Sequence, residues 1–163
     1  MLKDLIIKNR SYRRFYQDRP VGRDVLEELV ELARLSASGA NKQNLRFILS
    51  VSPEDNDKVS SCIFWAGYYK DWDGPEEGEK PSAYIVIVKD ISSGSGTPQD
   101  EGIAAQSILL GAVEKGLGGC MIGNIDRKTL RQKLNINEKY DIALVIAIGY
   151  PKEKVVIDSL DES

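Results

Sequence analysis

The chain has no histidine among its 163 residues and only two cysteines, Cys62 and Cys120. Without histidine there can be no Ser–His or Cys–His nucleophile pair, no histidine-ligated zinc and no general base that titrates near neutrality. The two cysteines are far apart in sequence, which argues against a metal site built from cysteine alone and fits a reducing compartment better than a disulfide scaffold. If the protein is an enzyme, we therefore expect no metal and an organic cofactor that carries the reactive chemistry.

Long apolar runs are also missing. The longest lie around Tyr84–Val88 and Ile142–Ile148, far short of the roughly 20 residues that a membrane-spanning helix needs. The first ten residues contain no extended apolar segment with a small-residue cleavage site, so we expect no signal peptide. These features predict a cytoplasmic protein without a membrane span, folded as a single domain over residues 1–163.

Charge is unevenly distributed along the chain. Residues 1–46 contain ten lysines and arginines against six acidic residues, whereas residues 47–163 contain twelve against nineteen. A nucleic-acid-binding protein would need a broad basic surface. One basic segment in an acidic chain instead indicates a local site for a small anion.

Apolar spacing and capping residues predict five helices and four strands. The helices are expected at about 2–8, 23–36, 53–65, 100–115 and 126–134, and the strands at 46–51, 83–88, 118–123 and 142–148. Residues 67–82 are predicted to be irregular and residues 91–99 to form a flexible loop. Gly111, inside the fourth helix, indicates close helix–helix packing. Helices interspersed among four strands predict a layered domain of the α+β or α/β class.

The first candidate binding segment contains Arg10, Ser11, Arg13 and Arg14. A phosphate group is held by planar bidentate donors, a hydroxyl and backbone N–H groups, and a loop of this composition supplies all three. The alternative is a solvated or ion-paired surface, since arginine clusters are common and exposed pairs contribute little.

The second candidate segment, Ser38–Gln43, combines small residues with Asn41 and Gln43. Small residues allow close approach of a flat ligand, and amide side chains provide paired donors and acceptors for the edge of a heterocycle. An ordinary helix C-terminus followed by an asparagine turn is the alternative.

The third candidate segment is Gly116–Asn124, with four glycines. It lacks the GxGxxG pattern that opens a helix in dinucleotide-binding folds. Its backbone could form a wall with N–H groups facing a cofactor ring, or the glycines could mark a turn and a bulge. We expect Cys120 to be a buried structural residue rather than a nucleophile.

These three segments, in this order, resemble the nitroreductase family of flavoproteins. The helix that starts at Asp100 and the closing sequence AIGYP at 147–151 match the second half of that family. The resemblance covers nearly the whole chain. It implies an α+β, three-layer fold with a central mixed or antiparallel sheet flanked by helices. It also implies a homodimer with FMN at the subunit interface.

The resemblance further implies three sets of residues that contact FMN. The residues expected at the phosphate are Arg10, Ser11 and Arg13. Those expected to line the ring and ribityl chain, from the partner subunit, are Ser38, Ala40, Asn41 and Gln43. Those expected to face the isoalloxazine, with a backbone N–H near N5, are Met121, Ile122 and Gly123. No side chain is expected to be catalytic.

The activity implied by the resemblance is electron transfer from NADH or NADPH, through the flavin, to a nitroaromatic, a quinone or a similar small acceptor. Both half-reactions would use one open site in a ping-pong course. Trp65, Tyr68, Tyr69 and Trp72 are candidates for the substrate wall. Packing in the core or in a lid is the equal alternative for these aromatic side chains.

The sequence departs from the family pattern at both candidate loops. Asn9 replaces the first arginine of the phosphate loop, so one phosphate contact is expected to be weaker or to come from Arg14. Asn44 and Leu45 replace a proline and a tryptophan, which predicts different packing where the following strand begins.

A third departure concerns the segment after the GYP turn. The family usually brings a basic residue to the phosphate from a C-terminal tail, whereas here only Lys152 and Lys154 follow before the sequence ends at Ser163. We therefore expect weaker retention of FMN. Two other hypotheses remain open at this point: a member that binds flavin or another ligand without turnover, and a dimeric interaction protein that has lost the cofactor.

Overall fold

The computed structural model describes residues 1–94 and 96–159. The helices are α1 (Leu2–Lys8), α2 (Arg23–Leu35), α3 (Pro53–Ser60), α4 (Asp100–Glu114) and α5 (Arg127–Lys133), with short 3-10 turns at Gly39–Asn41 and Ile91–Ser93. The strands are β1 (Leu45–Ser50), β2 (Ala83–Asp90), β3 (Gly118–Ile122) and β4 (Tyr140–Gly149). All nine predicted elements are present in this part of the chain, and most bounds agree with the predictions to within two residues.

The four strands form one sheet in the order β1-β2-β4-β3, with every neighbouring pair antiparallel. The register between β2 and β4 shifts at Ile87/Val88, which marks a bulge. One parallel contact lies outside the strands, an isolated bridge between Ser11 and Gly119 on the edge strand β3. The fold is therefore α+β, and the sheet itself is antiparallel.

Strand β2 shows how the three layers arise. Successive side chains of a strand point to opposite faces, so Ile85 and Ile87 pack with α2 and α4 while Tyr84 and Val86 pack with α3 and α5. All four side chains are almost completely buried. The sheet thus lies between two helical layers and has a separate apolar core on each face.

Helices α1, α2 and α4 form the layer to which the two candidate binding loops are attached. A Cβ atom at Gly111 would overlap the side chain of Leu32 on α2, so this glycine permits the close helix–helix approach that the sequence predicts. The outer surface of the layer exposes several large apolar side chains, namely Leu2, Ile6, Ile7, Leu32, Leu35 and Ile103.

Helix α3 ends at Ser60 and is therefore shorter than the predicted segment 53–65. The hydroxyls of Ser60 and Ser61 donate to carbonyls one turn back, and such bonds compete with helix continuation. Ile63 then pairs with Ile125 in an isolated antiparallel bridge. The chain leaves the helix to make this bridge, so Trp65 lies beyond the helix.

The segment 91–99, predicted to be a flexible loop, begins with the 3-10 turn at Ile91–Ser93, and its residue Ser95 lies outside the described residues. In the part of the chain that the structure describes, no helix is long and apolar enough to cross a membrane.

Candidate ligand-binding site

The segment 9–14, called the arginine loop below, leaves α1 and runs along the outer edge of β3. The Tyr12 N–H donates to the Gly119 carbonyl at 3.0 Å, next to the Ser11–Gly119 bridge. A Cβ atom at Gly118 would overlap the Tyr12 ring. Gly118 and Gly119 therefore serve the packing of this loop onto the sheet, and they are buried rather than open to a ligand.

Arg10 and Arg13 present guanidinium groups that use only part of their donor capacity. Arg10 donates to the carbonyls of Asn9 (2.7 Å) and Ile6 (2.8 Å). Arg13 donates to the Ser11 carbonyl (3.1 Å) and the Tyr68 hydroxyl (3.0 Å). Across residues 1–94 and 96–159, neither group forms an ion pair. Since a guanidinium has five N–H donors, both can still bind an anion.

Arg14 is engaged differently. Its guanidinium pairs with Glu79 at 3.3 Å and with Glu153 at 3.4 Å, and it lies over the Trp72 ring at 5.0 Å from the centroid. Lys152 also pairs with Glu79, at 3.0 Å. Two of the cations that could replace the arginine missing at position 9 are thus bound to carboxylates of the protein itself.

Glu153 also accepts the backbone N–H groups of Arg13 and Arg14, the latter at 3.2 Å. A carboxylate that follows the last strand thereby occupies the backbone donors on one side of the arginine loop. These two backbone donors are therefore engaged within the protein, whereas the side chains of Arg10, Ser11 and Arg13 keep donor capacity for an anion.

Cys120 lies beneath this loop and is buried. Burial raises the pKa of its thiol, an effect partly opposed by the nearby Arg13 guanidinium and the Ser11 hydroxyl. The thiol is therefore protonated at neutral pH, which agrees with a structural role and disfavours a nucleophilic one.

The end of β3 offers one side chain and a stretch of backbone. The Met121 side chain is 37% exposed, whereas that of Ile122 is only 4% exposed and belongs to the core on the α3–α5 face. Arg127 donates to the Gly123 carbonyl at 3.3 Å and to the Ile142 carbonyl at 2.9 Å, which fixes the strand end. Of the predicted ring-facing set, Ile122 can therefore contribute only its backbone.

The segment 38–43, called the amide loop below, has an unusual backbone. Ala40, Asn41 and Gln43 have φ angles of 50°, 52° and 49°, a region that non-glycine residues rarely adopt. The exposed Gln43 amide donates to Asn41 Oδ1 at 2.7 Å. A cleft of about 410 Å³ with apolar walls from Leu45 and Phe47 opens beside the loop.

The structure does not bring the amide loop and the arginine loop together within one chain. In the described ranges, no hydrogen bond or ion pair joins them. The amide loop is attached to the N-terminus of α4, where Asp100 accepts the Gly39 N–H at 2.8 Å. The arginine loop contacts α4 farther along, through an Asn9–Gln106 hydrogen bond of 3.3 Å.

The four aromatic candidates divide into two kinds. Trp65 is half-buried against the core, and its ring centroid lies 6.3 Å from that of Trp72. Tyr68 and Tyr69 stack at 4.4 Å and are exposed, Tyr68 by 67%. Because Tyr68 also accepts from Arg13, the exposed pair lies directly beside the arginine loop.

The comparison with known proteins agrees with this geometry. The model of the nitroreductase family matches residues 6–71 and 81–150. The chain belongs to the nitroreductase family. The family is one of oxidoreductases, so this membership places the chain among them.

Two curated relatives and one solved structure illustrate the range of the family. A protein of Methanothermobacter thermautotrophicus named "Putative NADH dehydrogenase/NAD(P)H nitroreductase" is 31% identical over 155 residues, which cover 90% of this chain and 76% of that protein. An iodotyrosine deiodinase of Thermotoga neapolitana is 24% identical over 168 residues, covering 94% and 90%. An FMN-dependent nitroreductase of Clostridium difficile superposes with a TM-score of 0.78 at 28% identity, covering 96% of this chain and 93% of that one.

Three acidic residues with a role in the two loops were not predicted from the sequence of this nitroreductase-family chain. Glu79, Glu153 and Asp100 organise the two loops, yet each looked like an ordinary surface carboxylate or helix start. The only sequence signal was position: Asp100 stands in the first turn of the longest helix, and Glu153 follows the GYP turn by two residues. Neither position reveals that a carboxylate reaches back across the fold to a loop distant in sequence.

Proposed function

We propose that this protein is an FMN-dependent oxidoreductase that passes electrons from NADH or NADPH to a small acceptor such as a nitroaromatic or a quinone. The observation that carries the proposal is a pair of arginines, Arg10 and Arg13, that form no ion pair within residues 1–94 and 96–159 and lie beside the Ser11 hydroxyl. Family membership and the FMN-dependent C. difficile relative support the same conclusion.

The donor set of the arginine loop fits the phosphate group of FMN. A phosphate monoester carries between one and two negative charges near neutral pH and three acceptor oxygens. Arg10, Arg13 and the exposed Ser11 offer two cations and a hydroxyl on one short segment. Arg14 is not required for this fit, because its ion pairs with Glu79 and Glu153 assign it to the support of the loop.

The residues proposed for the flavin ring also have suitable chemistry. Met121 presents a polarizable side chain, and Gly123 leaves its side of the backbone open, since a Cβ there would meet nothing within 4 Å. Ser38, Ala40, Asn41 and Gln43 of the amide loop provide small surfaces and amide groups for a heterocycle edge. When bound, FMN supplies hydride acceptance from the nicotinamide and electron donation to the acceptor.

The protein's own contribution is binding, orientation and shielding. No histidine is present, and we assign to the side chains named above the holding of the partners rather than proton transfer. Tyr68 and Tyr69, exposed next to Arg13, are the part of the predicted wall that can contact an acceptor. Trp72 contacts Tyr69 edge-to-face and is in turn contacted by Trp65.

We propose that the working unit is a homodimer in the cytoplasm. The outer surface of the α1–α2–α4 layer exposes a set of large apolar side chains of the kind that a second subunit covers. We propose that the amide loop of one subunit and the arginine loop of the other form one site in this dimer. Both cysteines are free and buried, which suits a reducing compartment.

Anaerobic reduction of the reconstituted protein tests this function. Protein supplied with FMN and freed of excess is expected to lose its visible flavin absorbance on addition of NADH or NADPH, and to regain it when a quinone or nitroaromatic is added. Bound FMN that neither nicotinamide reduces would show a flavin-binding protein without turnover. Absence of saturable FMN binding at low ionic strength would remove the proposal altogether.

A further inference from the structure

Asp100, the first residue of α4, is a buried carboxylate without a cationic partner among the described residues. It is 3% exposed, and a buried charge is costly unless hydrogen bonds satisfy it. Its Oδ1 accepts the Gly39 N–H and the Thr97 hydroxyl, both at 2.8 Å. Its Oδ2 accepts the Ser38 hydroxyl and the Thr97 N–H, both at 3.4 Å. Four donors thus converge on one side chain, and two of them come from the amide loop.

The hydrogen bonds of Asp100 continue into the amide loop. Ser38 donates its hydroxyl to Asp100 and accepts the Gln43 N–H at 3.1 Å with the same oxygen. The carboxylate is therefore linked to both ends of the segment 38–43. Gly39 fits this arrangement because a Cβ atom there would overlap Thr97, the third donor residue.

The amide loop needs such support, since three of its residues have positive φ angles. Non-glycine residues in this region are strained, and they persist only where the surroundings hold them. The Asn41 and Gln43 side chains bond only to each other among the contacts seen for them, and both are exposed. Arg46 donates to the Gln43 carbonyl at 2.9 Å, and the Asn41 and Lys42 N–H groups bond within the turn. The Asp100 network adds the link from this strained backbone to the N-terminus of α4, where a negative charge is also favourable.

We propose that Asp100 is a positioning residue that holds the amide loop in the conformation that receives the ligand. The identity of that ligand as a flavin rests on the proposed function. The loop is proposed to line the ring and ribityl chain, which FMN and riboflavin share. Loss of Asp100 should therefore lower the affinity for FMN and for riboflavin to the same degree. Loss of the arginines proposed to bind the phosphate should lower the affinity for FMN alone.

Two variants make a matched test. Asp100→Asn keeps the size of the side chain but removes the charge that accepts four donors. Asp126→Asn is the control, because Asp126 also stands at a helix N-terminus, where it accepts the Thr129 N–H (3.0 Å) and hydroxyl (2.7 Å), but it has no contact with the amide loop. Thr97→Val removes one donor to Asp100 and serves as a milder variant should Asp100→Asn fold poorly.

The first readout is the affinity for FMN and for riboflavin, measured by fluorescence quenching. Asp100→Asn is expected to weaken both by roughly tenfold, since a bond to a charged group contributes enough for such a change. Thr97→Val should weaken both by less, and Asp126→Asn should leave both unchanged. If Asp100→Asn binds the two flavins as tightly as Asp126→Asn does, the inference is overturned.

The second readout is amide hydrogen exchange of the ligand-free proteins, which does not depend on flavin. In Asp100→Asn, exchange should accelerate at Gly39 and Gln43 while the sheet amides keep the rates of the wild type. Uniform acceleration over the whole chain would show a general stabilising role and overturn the inference. If the wild type binds no flavin, the proposed function fails, yet loop-specific exchange would still establish Asp100 as the residue that holds the loop.

Discussion

The Glu153 carboxylate accepts the backbone N–H of Arg14 at 3.2 Å, and with it the N–H of Arg13. A residue just after the last strand thereby fixes the backbone of a loop near the start of the chain. The pairing explains how a half-buried, arginine-rich segment is kept in place at the sheet edge.

Replacing Glu153 with glutamine should therefore destabilise the fold. The variant loses the charge that two backbone donors and the Arg14 guanidinium share, which we expect to lower the free energy of unfolding by about 1–2 kcal/mol. Urea denaturation measures this difference. Glu138→Gln, at an exposed position, should leave the midpoint unchanged, and equal midpoints for the two variants would contradict the structural role of Glu153.

Removing Arg10 and Arg13 together should show how much the phosphate group contributes to FMN affinity. Charge-assisted bonds contribute about 1.5–3 kcal/mol each, so the double alanine variant should bind FMN at least about a hundredfold more weakly and riboflavin nearly as before. Titrations with both flavins measure the two affinities. Equal losses for FMN and riboflavin would mean that the arginines act only by supporting the loop.

Arg14→Ala is the matched variant for that experiment. Because Arg14 pairs with Glu79 and Glu153 and stacks on Trp72, its loss should lower stability more than it lowers FMN affinity. Thermal unfolding and FMN titration of the same preparation compare the two effects. If Arg14→Ala lost much of its affinity for FMN but not for riboflavin, Arg14 would have to be assigned to the phosphate site.

Tyr68→Phe should affect binding rather than folding. The Tyr68 hydroxyl accepts from the Arg13 guanidinium at 3.0 Å, so it competes for a donor that we assign to the phosphate. Without the hydroxyl, FMN affinity should rise slightly while the unfolding midpoint stays constant, since the Tyr68 side chain is largely exposed. A marked fall in FMN affinity would show instead that the hydroxyl orients Arg13 for binding.

The stability contribution of Asp100 should depend on pH in a defined direction. The Gly39 N–H, together with the Thr97 and Ser38 donors, lowers the pKa of this carboxyl in the folded state. Because the pKa is lower in the folded state, the ionised carboxylate stabilises the fold at pH values above the unfolded pKa of about 3.9. This stabilisation is lost as the pH falls through the folded pKa.

The difference in unfolding free energy between wild type and Asp100→Asn should therefore be constant from about pH 7 to pH 5 and shrink below about pH 4. Urea unfolding at several pH values measures it. Other carboxyls with lowered pKa values, such as Asp126 and Asp90, are the same in both proteins and cancel in the difference. A difference that grows toward acid would contradict the assigned direction.

The fold was predictable because its elements are strongly patterned. The apolar run of β2 predicts a buried strand and the small-residue face of α4 predicts a packed helix, and both are present. Pro53 and Asp126 mark helix starts that the structure confirms. The predicted end of α3 was wrong. Serine hydroxyls and the Ile63–Ile125 bridge, which is distant in sequence, end the helix where the apolar spacing predicts that it continues.

The candidate site was only partly predictable. Residue types predicted an anion site at Arg10, Ser11, Arg13 and Arg14, and that assignment stays a prediction. Sequence could not separate Arg13 from Arg14, which differ only in the tertiary partners Glu79 and Glu153. Nor could it show that the Ile122 side chain is buried, since this depends on which face of β3 is turned to the core.

Titration of flavin-free protein with FMN at low and high ionic strength tests the central claim most directly. We predict saturable quenching of FMN fluorescence that weakens as salt rises, because Arg10 and Arg13 lie at the surface and the cations that might replace the arginine absent at position 9, Arg14 and Lys152, are held by Glu153 and Glu79. A tight complex insensitive to salt would contradict the picture of a weakened phosphate site. Absence of saturable FMN binding at either ionic strength would contradict the assignment of the protein as a flavin-dependent oxidoreductase.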